Sequence, residues 1–496
     1  MNCRTKPLLA ALCFVLFSSG CSVSVKKLAE QPYSSEAERC EAFYIAFAHR
    51  TEGLEDPASH RIPEVPWLRT NRTLAAKAKQ LLSRQSEHPV SESLSINDKW
   101  QQWLSVAAEF AISRQRLEWG RLSPTGRQQL LAVSQQSNLL STLRFCRSTL
   151  ETQWLAEPGA IVQIRRLTNV PDHYSSIKRF FGIYPITQWA TRILLPGLKR
   201  EFLNYFSKGP EQHSANGEWQ YFSSKRQLSK AAQTGESELT QLDYFNIILD
   251  NAPIWRIDVA SSDDIPGSIQ NSARHKPAVG GQYSEYQYLS ETWFDGKWRL
   301  QANYVLWFPR RTSKGLVDLL AGEIDSVVWR VTLDEESQPM VFDSIHSCGC
   351  YHLVIPTPNY QQRSSSKNWP EPPLVMPTLK KDRSRKNLQL TIASGNHYLL
   401  GVGNGSISDN TQPLTARPYN ELLQQTVDGQ VTLTSIFNTH GLVAGSQRPE
   451  RWLLWPMGIR SAGAMRQAGT QAIAFVGRRH FDDSNLLDQI LEPANP

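Results

Sequence analysis

Pro339-Met340-Val341-Phe342-Asp343-Ser344-Ile345-His346-Ser347-Cys348-Gly349-Cys350-Tyr351-His352-Leu353-Val354-Ile355 is the stretch in which the chain reads most clearly as β-structure. It also gathers two thiols and two imidazoles within seven positions. The apolar flanks have strand character, and alternate side chains of a strand share a face. A continuous strand would therefore point His346, Cys348, Cys350 and His352 the same way. At roughly 3.3 Å rise per residue the two imidazoles would then stand about 20 Å apart, too far to share an ion. A tetrahedral zinc ion holds its thiolates within about 4 Å of each other. A shared centre thus requires the segment to bend, and Gly349 is the residue that permits a bulge or turn. Three readings stay open. Cys348 and Cys350, with one or both histidines, could ligate zinc or copper. Cys348 and Cys350 could close a short disulfide, with α-carbons about 6.6 Å apart at the edge of the accepted range. Or each cysteine could be structural, paired with a distant one or buried as a thiol.

Upstream, the pattern is that of an antiparallel meander. Ile254-Trp255-Arg256-Ile257-Asp258-Val259 alternates, and the strands Tyr283 to Trp293 and Lys297 to Phe308 flank Asp295-Gly296, a strong hairpin signal. Val327 to Leu333 and Pro339 to Ile345 form a second hairpin, so the cysteine stretch lies toward the end of a fourth strand. Downstream, residues 356–387 read as a long polar loop with the basic cluster Lys380, Lys381, Arg383, Arg385 and Lys386. Strands are expected again at Leu388–Ala393, His397–Val402 and Val431–Phe437.

The first third is different. Residues 33–156 have helical period, with segments from Ser35 through Phe47, Thr73 to Leu82, Lys99 to Glu118 and Pro124 to Trp154. Residues 157–238 are a mixed transition containing a strand at Ala160–Ile164. A bulky apolar and basic run follows, from Lys178 to Pro185 and Trp189 to Phe206. That run is expected as a core-packed helix with a basic solvent face; the alternative is an amphipathic element lying on a membrane. The expected fold class is α+β: an N-terminal α-helical region followed by a larger, mainly antiparallel β region at 239–487.

At the N-terminus, Arg4 and Lys6 precede the uncharged run Leu8 to Phe17, then Ser18-Ser19-Gly20-Cys21. Ten apolar residues are too few to span a bilayer and have the layout of a secretory signal. The segment resembles the bacterial lipoprotein signal, although Ser18 stands where that pattern most often has leucine. The resemblance implies a signal peptide over 1–20, Cys21 as a lipidated N-terminus, and a tether over 21–32. With Ser22 next, it also implies an outer-membrane location on the periplasmic face of a Gram-negative envelope. Such a chain would have the membrane as its partner through the lipid anchor, together with an envelope protein or glycolipid. The formal charge of +7 falls to +5 without Arg4 and Lys6, mild and scattered, which gives no support for nucleic-acid binding. In an oxidising compartment Cys40 and Cys146, both in helical sequence, are the favoured structural disulfide.

The C-terminal stretches Gly445–Arg451, Trp455–Gly458, Gly463–Arg466 and Gly477–Asp483 are dense in Gly, Trp and Arg. Together with the cysteine stretch they are similar to a group of proteobacterial proteins that carry no named function, so the resemblance supplies no activity. Arg478, Arg479, His480, Asp482 and Asp483 form a second, charged candidate site, with a salt-bridged end of the fold as its competitor. HExxH, GxSxG, a phosphate loop and a dinucleotide glycine fingerprint are all absent from the sequence. Two functions remain: a lipid-anchored binding or assembly factor, or a metal- or thiol-dependent enzyme centred on residues 346–352, with His397 or His480 arriving from elsewhere.

Overall fold

The computed structural model describes residues 25–62, 64–87, 98–157, 160, 165, 169–224, 241–271, 276–313, 315, 318–379, 388–427, 431–473 and 476–494. Cys21 and the signal segment, residues 161–164 of the strand expected at Ala160–Ile164, and the cluster Lys380–Lys386 lie outside the described residues. The chain divides into two compact units: Met1–Glu55, Arg61–Arg69 and Val90–Ile164, and then Asp56–His60, Thr70–Pro89 and Arg165–Pro496. N-terminal helices precede a larger β region, the expected α+β class.

Helices α1 (Val25–Glu30) and α2 (Glu36–Arg50) open the first unit. Part of the stretch expected as tether is thus helical, with Val25 buried. Ser35 caps α2, its side chain accepting from the Glu38 amide, while the Glu38 carboxylate accepts from Ser34 N–H. Helix α3 (Arg72–Glu87) belongs to the second unit, where Lys77 pairs with Glu291 at 2.8 Å and Trp298 donates to Gln80. The first unit continues with α4 (Asp98–Gly120), α5 (Pro124–Ser134) and α6 (Leu139–Leu155). The helix expected to run unbroken from Pro124 to Trp154 is two helices. Gln135 adopts φ 54°, and Asn138 restarts the helix by accepting from the Ser141 amide. Cys40 of α2 and Cys146 of α6 form a disulfide. Glu118, fully buried, is held by Arg69 and by Arg61 at 2.8 Å.

The second unit is built on an eleven-stranded sheet. In chain order its strands are β1 (Glu218–Ser224), β2 (Ile254–Val259), β3 (Ser284–Phe294), β4 (Lys297–Arg311), β5 (Gly322–Leu333), β6 (Pro339–His346), β7 (Leu353–Pro356), β8 (Leu374–Val375), β9 (Leu388–Ile392), β10 (Leu399–Asn404) and β11 (Gln412–Pro418). Their order across the sheet is β8-β7-β6-β5-β4-β3-β11-β1-β2-β9-β10. The meander β3 to β7 is antiparallel as expected. Asp295 and Gly296 at its first turn both have positive φ, as a two-residue hairpin requires. The rest is more mixed than expected: β11 runs parallel to both β1 and β3, β9 to β2, and β8 to β7.

One face of the sheet carries the core. Trp255, Tyr304, Leu306, Phe308, Val327, Trp329, Val331, Phe342 and Leu353 pack there with Phe202. Phe202 lies in α8 (Tyr184–Lys208), which follows the short helix α7 (Ser176–Phe181). The apolar and basic run is therefore helical, but only its second half packs on the core. Two further expectations fail. The loop at 356–387 is not one polar excursion: Tyr360–Gln362 pairs with Leu491–Pro493, and β8 lies within it. Val431–Phe437 is not a strand; it makes only single bridges, at Thr434 and Phe437. No helix among the described residues is long and apolar enough to cross a membrane.

Candidate functional site

The cysteine stretch does bend, and more sharply than a bulge. β6 and β7 are an antiparallel pair joined by residues 347–352, with Ser344 opposite Leu353. Gly349 makes the turn with φ 86°, its N–H donating to His346 O, while His346 N–H donates to Cys350 O. A Cβ on Gly349 would stand 1.9 Å from Ala472 O, so no larger residue fits. This register also decides where the histidines go. Opposite residues of an antiparallel pair share a face, so an even-numbered residue of β6 shares its face with an odd-numbered one of β7. His346 therefore turns to the face that carries Val327, Trp329 and Phe342, whereas His352 lies on the other face, beside Asp343. Turning the chain separates the two imidazoles that a straight strand would have aligned, so the four side chains of the metal reading do not converge. Among the described residues no group of three or more His, Cys, Asp or Glu side chains is placed to hold a metal ion.

What forms instead on the core face is a charged cluster around Asp325 of β5. Asp325 accepts from Arg448 Nη2 at 2.8 Å and faces His397 Nδ1 at 2.9 Å; His346 Nδ1 stands 3.5 Å away. His397 follows Gly395 in the turn between β9 and β10, stacks on Phe308 at 3.9 Å, and has its Nε2 3.5 Å from Asp264. Asp325 and His397 are fully buried, Arg448 is 1% exposed and His346 3%. Burial alone would raise the Asp325 pKa, but Arg448 and then His346 hold it well below the usual carboxylate range. His397 is held above its ordinary value because two carboxylates outweigh its burial. His346 is lowered, its burial dominating over the single carboxylate it faces. Burial and the facing carboxylates thus shift the two imidazoles in opposite directions. His397 was a candidate to arrive from elsewhere, and it does reach His346, with Asp325 between them.

On the opposite face, Asp343 of β6 pairs with Arg330 of β5 and accepts from His352 Nε2 at 3.0 Å. Arg330 lies over the Phe481 ring and donates to Phe481 O. Two ion clusters thus flank β5 and β6, one on each side.

Cys348 and Cys350 are buried thiols that hydrogen bond to each other. Burial opposes ionisation of Cys348, but the bond from Cys350 and the Arg448 charge outweigh it and lower its pKa; the same bond and burial push Cys350 well up.

The second candidate site is assembled only in part: His480 N–H donates to the Asp483 carboxylate at 2.8 Å and its Nδ1 lies 3.9 Å from it, while the other members partner elsewhere. Arg478 pairs with Asp172, Arg479 donates to Glu371 O, the Asp482 carboxylate accepts from Gln471 N–H, and Asp483 pairs with Arg72. His480 Nε2 lies 3.0 Å from His173 Nδ1, which is also 3.4 Å from Arg72. Since Arg72 can only donate, His173 Nδ1 accepts, and the tautomer in which His480 Nε2–H donates fits both contacts. Burial first, and the Arg72 charge second, lower both histidines, His173 to about 3. Arg72 and Asp483 line an open cleft of about 540 Å³ with Lys79, Trp293 and Trp298.

Sequence reading missed Asp325, Asp343, Asp264 and Arg330 as partners. The signal was present: Asp325 has the parity of Val327, Trp329 and Val331, so a carboxylate occupies an inward strand position. Arg448 lay in a stretch noted for its density but given no role. No family model matches the chain, no curated protein matches it, and no solved structure matches it.

Proposed function

We propose that the chain is a lipid-anchored envelope protein, held through Cys21 on the periplasmic side of the outer membrane, and that it acts as a binding or assembly factor rather than by chemistry at residues 346–352. The observation that carries the non-catalytic reading is the closure of the Asp325 cluster. Its acid, bases and cation are sequestered from solvent and engage one another, which is how a fold secures buried charge. A catalytic base must come within hydrogen-bond reach of a substrate, and these groups face each other inside the core. Anchoring rests on the apolar run, the small residues and Cys21, because several acyl chains bind a bilayer stably where one does not.

Two measurements test the reading on the full chain extracted in detergent. Palmitate labelling should be lost on Cys21→Ser. Metal analysis and an intact mass with and without reductant should show no stoichiometric zinc or copper and one disulfide. The thiol-dependent alternative retains one favourable observation, the adjacent thiols beside Arg448 with oppositely shifted acidity. One equivalent of metal that disappears on Cys348→Ser would favour that alternative and reject the binding reading.

A further inference from the structure

Among the described residues, most of the large apolar side chains exposed on the second unit belong to two segments. Helix α7 exposes Ile177, Phe180 and Phe181, and the first half of α8 exposes Ile186, Trp189, Ile193 and Leu194. Phe180 is 79% exposed and Leu194 73%. Beside them, the loop at 449–458 exposes Trp452 at 72% together with Leu453 and Trp455. The loop is fixed to α7: Ser175 N–H donates to Gly458 O, Arg179 Nε donates to Met457 O, and a Cβ on Gly182 would stand 2.4 Å from Pro456 Cβ. Two segments some 270 positions apart in the chain thus present one apolar face. The second half of α8 behaves differently, with Phe202 fully buried and Leu198, Leu203 and Phe206 packed on the core. The helix is rooted at one end and displays large hydrophobic side chains at the other, on a scale that monomeric surfaces rarely leave uncovered.

The two segments that form this face are poor in acids and carry several basic residues. No acidic residue occurs between Asp172 and Glu201, a span holding Lys178, Arg179, Arg192, Lys199 and Arg200. None occurs between Glu450 and Asp482 either, a span that includes Arg451 and Arg460. The Arg451 guanidinium lies over the Trp452 ring, and Arg192, Arg200 and Arg460 are exposed. Trp, Phe, Ile and Leu surrounded by Arg and Lys match the boundary of an anionic bilayer, where indole rings settle at headgroup level and each basic side chain gains from the surface potential. A protein partner would have to supply an apolar cavity and a ring of acids; the bilayer supplies both layers at once. We propose that this face, formed by α7, the first half of α8 and the loop around Trp452, docks on an anionic phospholipid bilayer as a second membrane contact, separate from the acyl chains at Cys21.

The experiment uses the full chain with Cys21→Ser, so that covalent lipid plays no part; any contribution of residues 1–20 is common to all arms. Co-sedimentation with phosphatidylcholine vesicles, with and without phosphatidylglycerol, reads the binding. The chain should sediment with the anionic vesicles and much less with the neutral ones, and should be released as salt rises. The variant Phe180→Ser/Trp189→Ser/Leu194→Ser/Trp452→Ser should lose on the order of a hundredfold in affinity. Arg192→Glu/Arg200→Glu, which leaves every apolar residue in place, should lose at least about tenfold. All six positions are exposed, so both variants should keep the parent's circular dichroism and melting temperature. Failure of the parent to bind anionic vesicles, equal binding to neutral ones, or undiminished binding by the four-residue variant each overturns the proposal. A parent that is a dimer in solution, becomes monomeric in that variant and ignores vesicles would assign the face to a second copy and equally overturn it. Loss of lipidation is read separately, by palmitate labelling of the unaltered chain.

Discussion

Asp325 is the single side chain on which the buried charge of the second unit depends most. Removing it takes the paired carboxylate from buried Arg448 and leaves His397 with Asp264 alone. Asp325→Asn is expected to cost about 3–5 kcal/mol of stability, read from urea denaturation; a loss under about 1 kcal/mol would mean the cluster is not a structural clasp. The histidines give a second, pH-dependent expectation. His173, His480 and His60 all have folded-state pKa values below their ordinary one, His60 at about 4, with burial as the leading cause. The unfolded chain therefore binds more protons than the folded one below about pH 6.5, and stability falls as the medium is acidified. At pH 5 each should cost about 2 kcal/mol relative to neutral pH. His397 is shifted the other way: its contribution is complete below about pH 6.5 and is lost as pH rises through its higher folded value. A melting-temperature series from pH 7.5 to 5 should thus decline, and His480→Asn should flatten it. At this scale sequence reading found the histidines and cysteines, because their chemistry is visible in their names. Their partners are carboxylates and guanidiniums brought in from other strands, which no local spacing reveals.

Strand pairing explains the main difference between expectation and structure. The strands of the β3 to β6 meander were legible because alternation and the Asp295-Gly296 turn are local signals. The placement of His346 and His352 was not, because it depends on the register of β6 against β7, which a one-residue change reverses. Gly349 holds that register. Gly349→Ala should cost at least about 2 kcal/mol in chemical denaturation, since the added methyl meets both the left-handed backbone and Ala472 O. In the helical unit, the analogous constraint is covalent. Cys40 and Cys146 are 106 positions apart, and Cys40→Ser/Cys146→Ser should lower stability by roughly 2–4 kcal/mol. The break at Gln135 went unread because Gln and Ser tolerate a helix, and only the cap at Asn138 marks the restart.

For the molecule as a whole, the division into units says which perturbation reaches where. Both ends of the disulfide lie in one unit and the Asp325 cluster in the other. Calorimetry should resolve two unfolding transitions, with reductant lowering one and Asp325→Asn the other; a single transition moved by both would show that the two cores melt together. The α+β order was readable from the change of hydrophobic period along the chain. The parallel pairings were not, because they join strands far apart in sequence. Among them, β11 has a particular consequence. Its first three residues bond to β1 and its last four to β3, so it is the zip between two half-sheets made earlier. A chain emerging from its N-terminus, as in synthesis, would deliver both halves before their keystone. Each would wait with an open hydrogen-bonding margin, sticky toward neighbouring chains, until residue 418 emerged. Chaperones that shield such margins are the helpers this topology calls for.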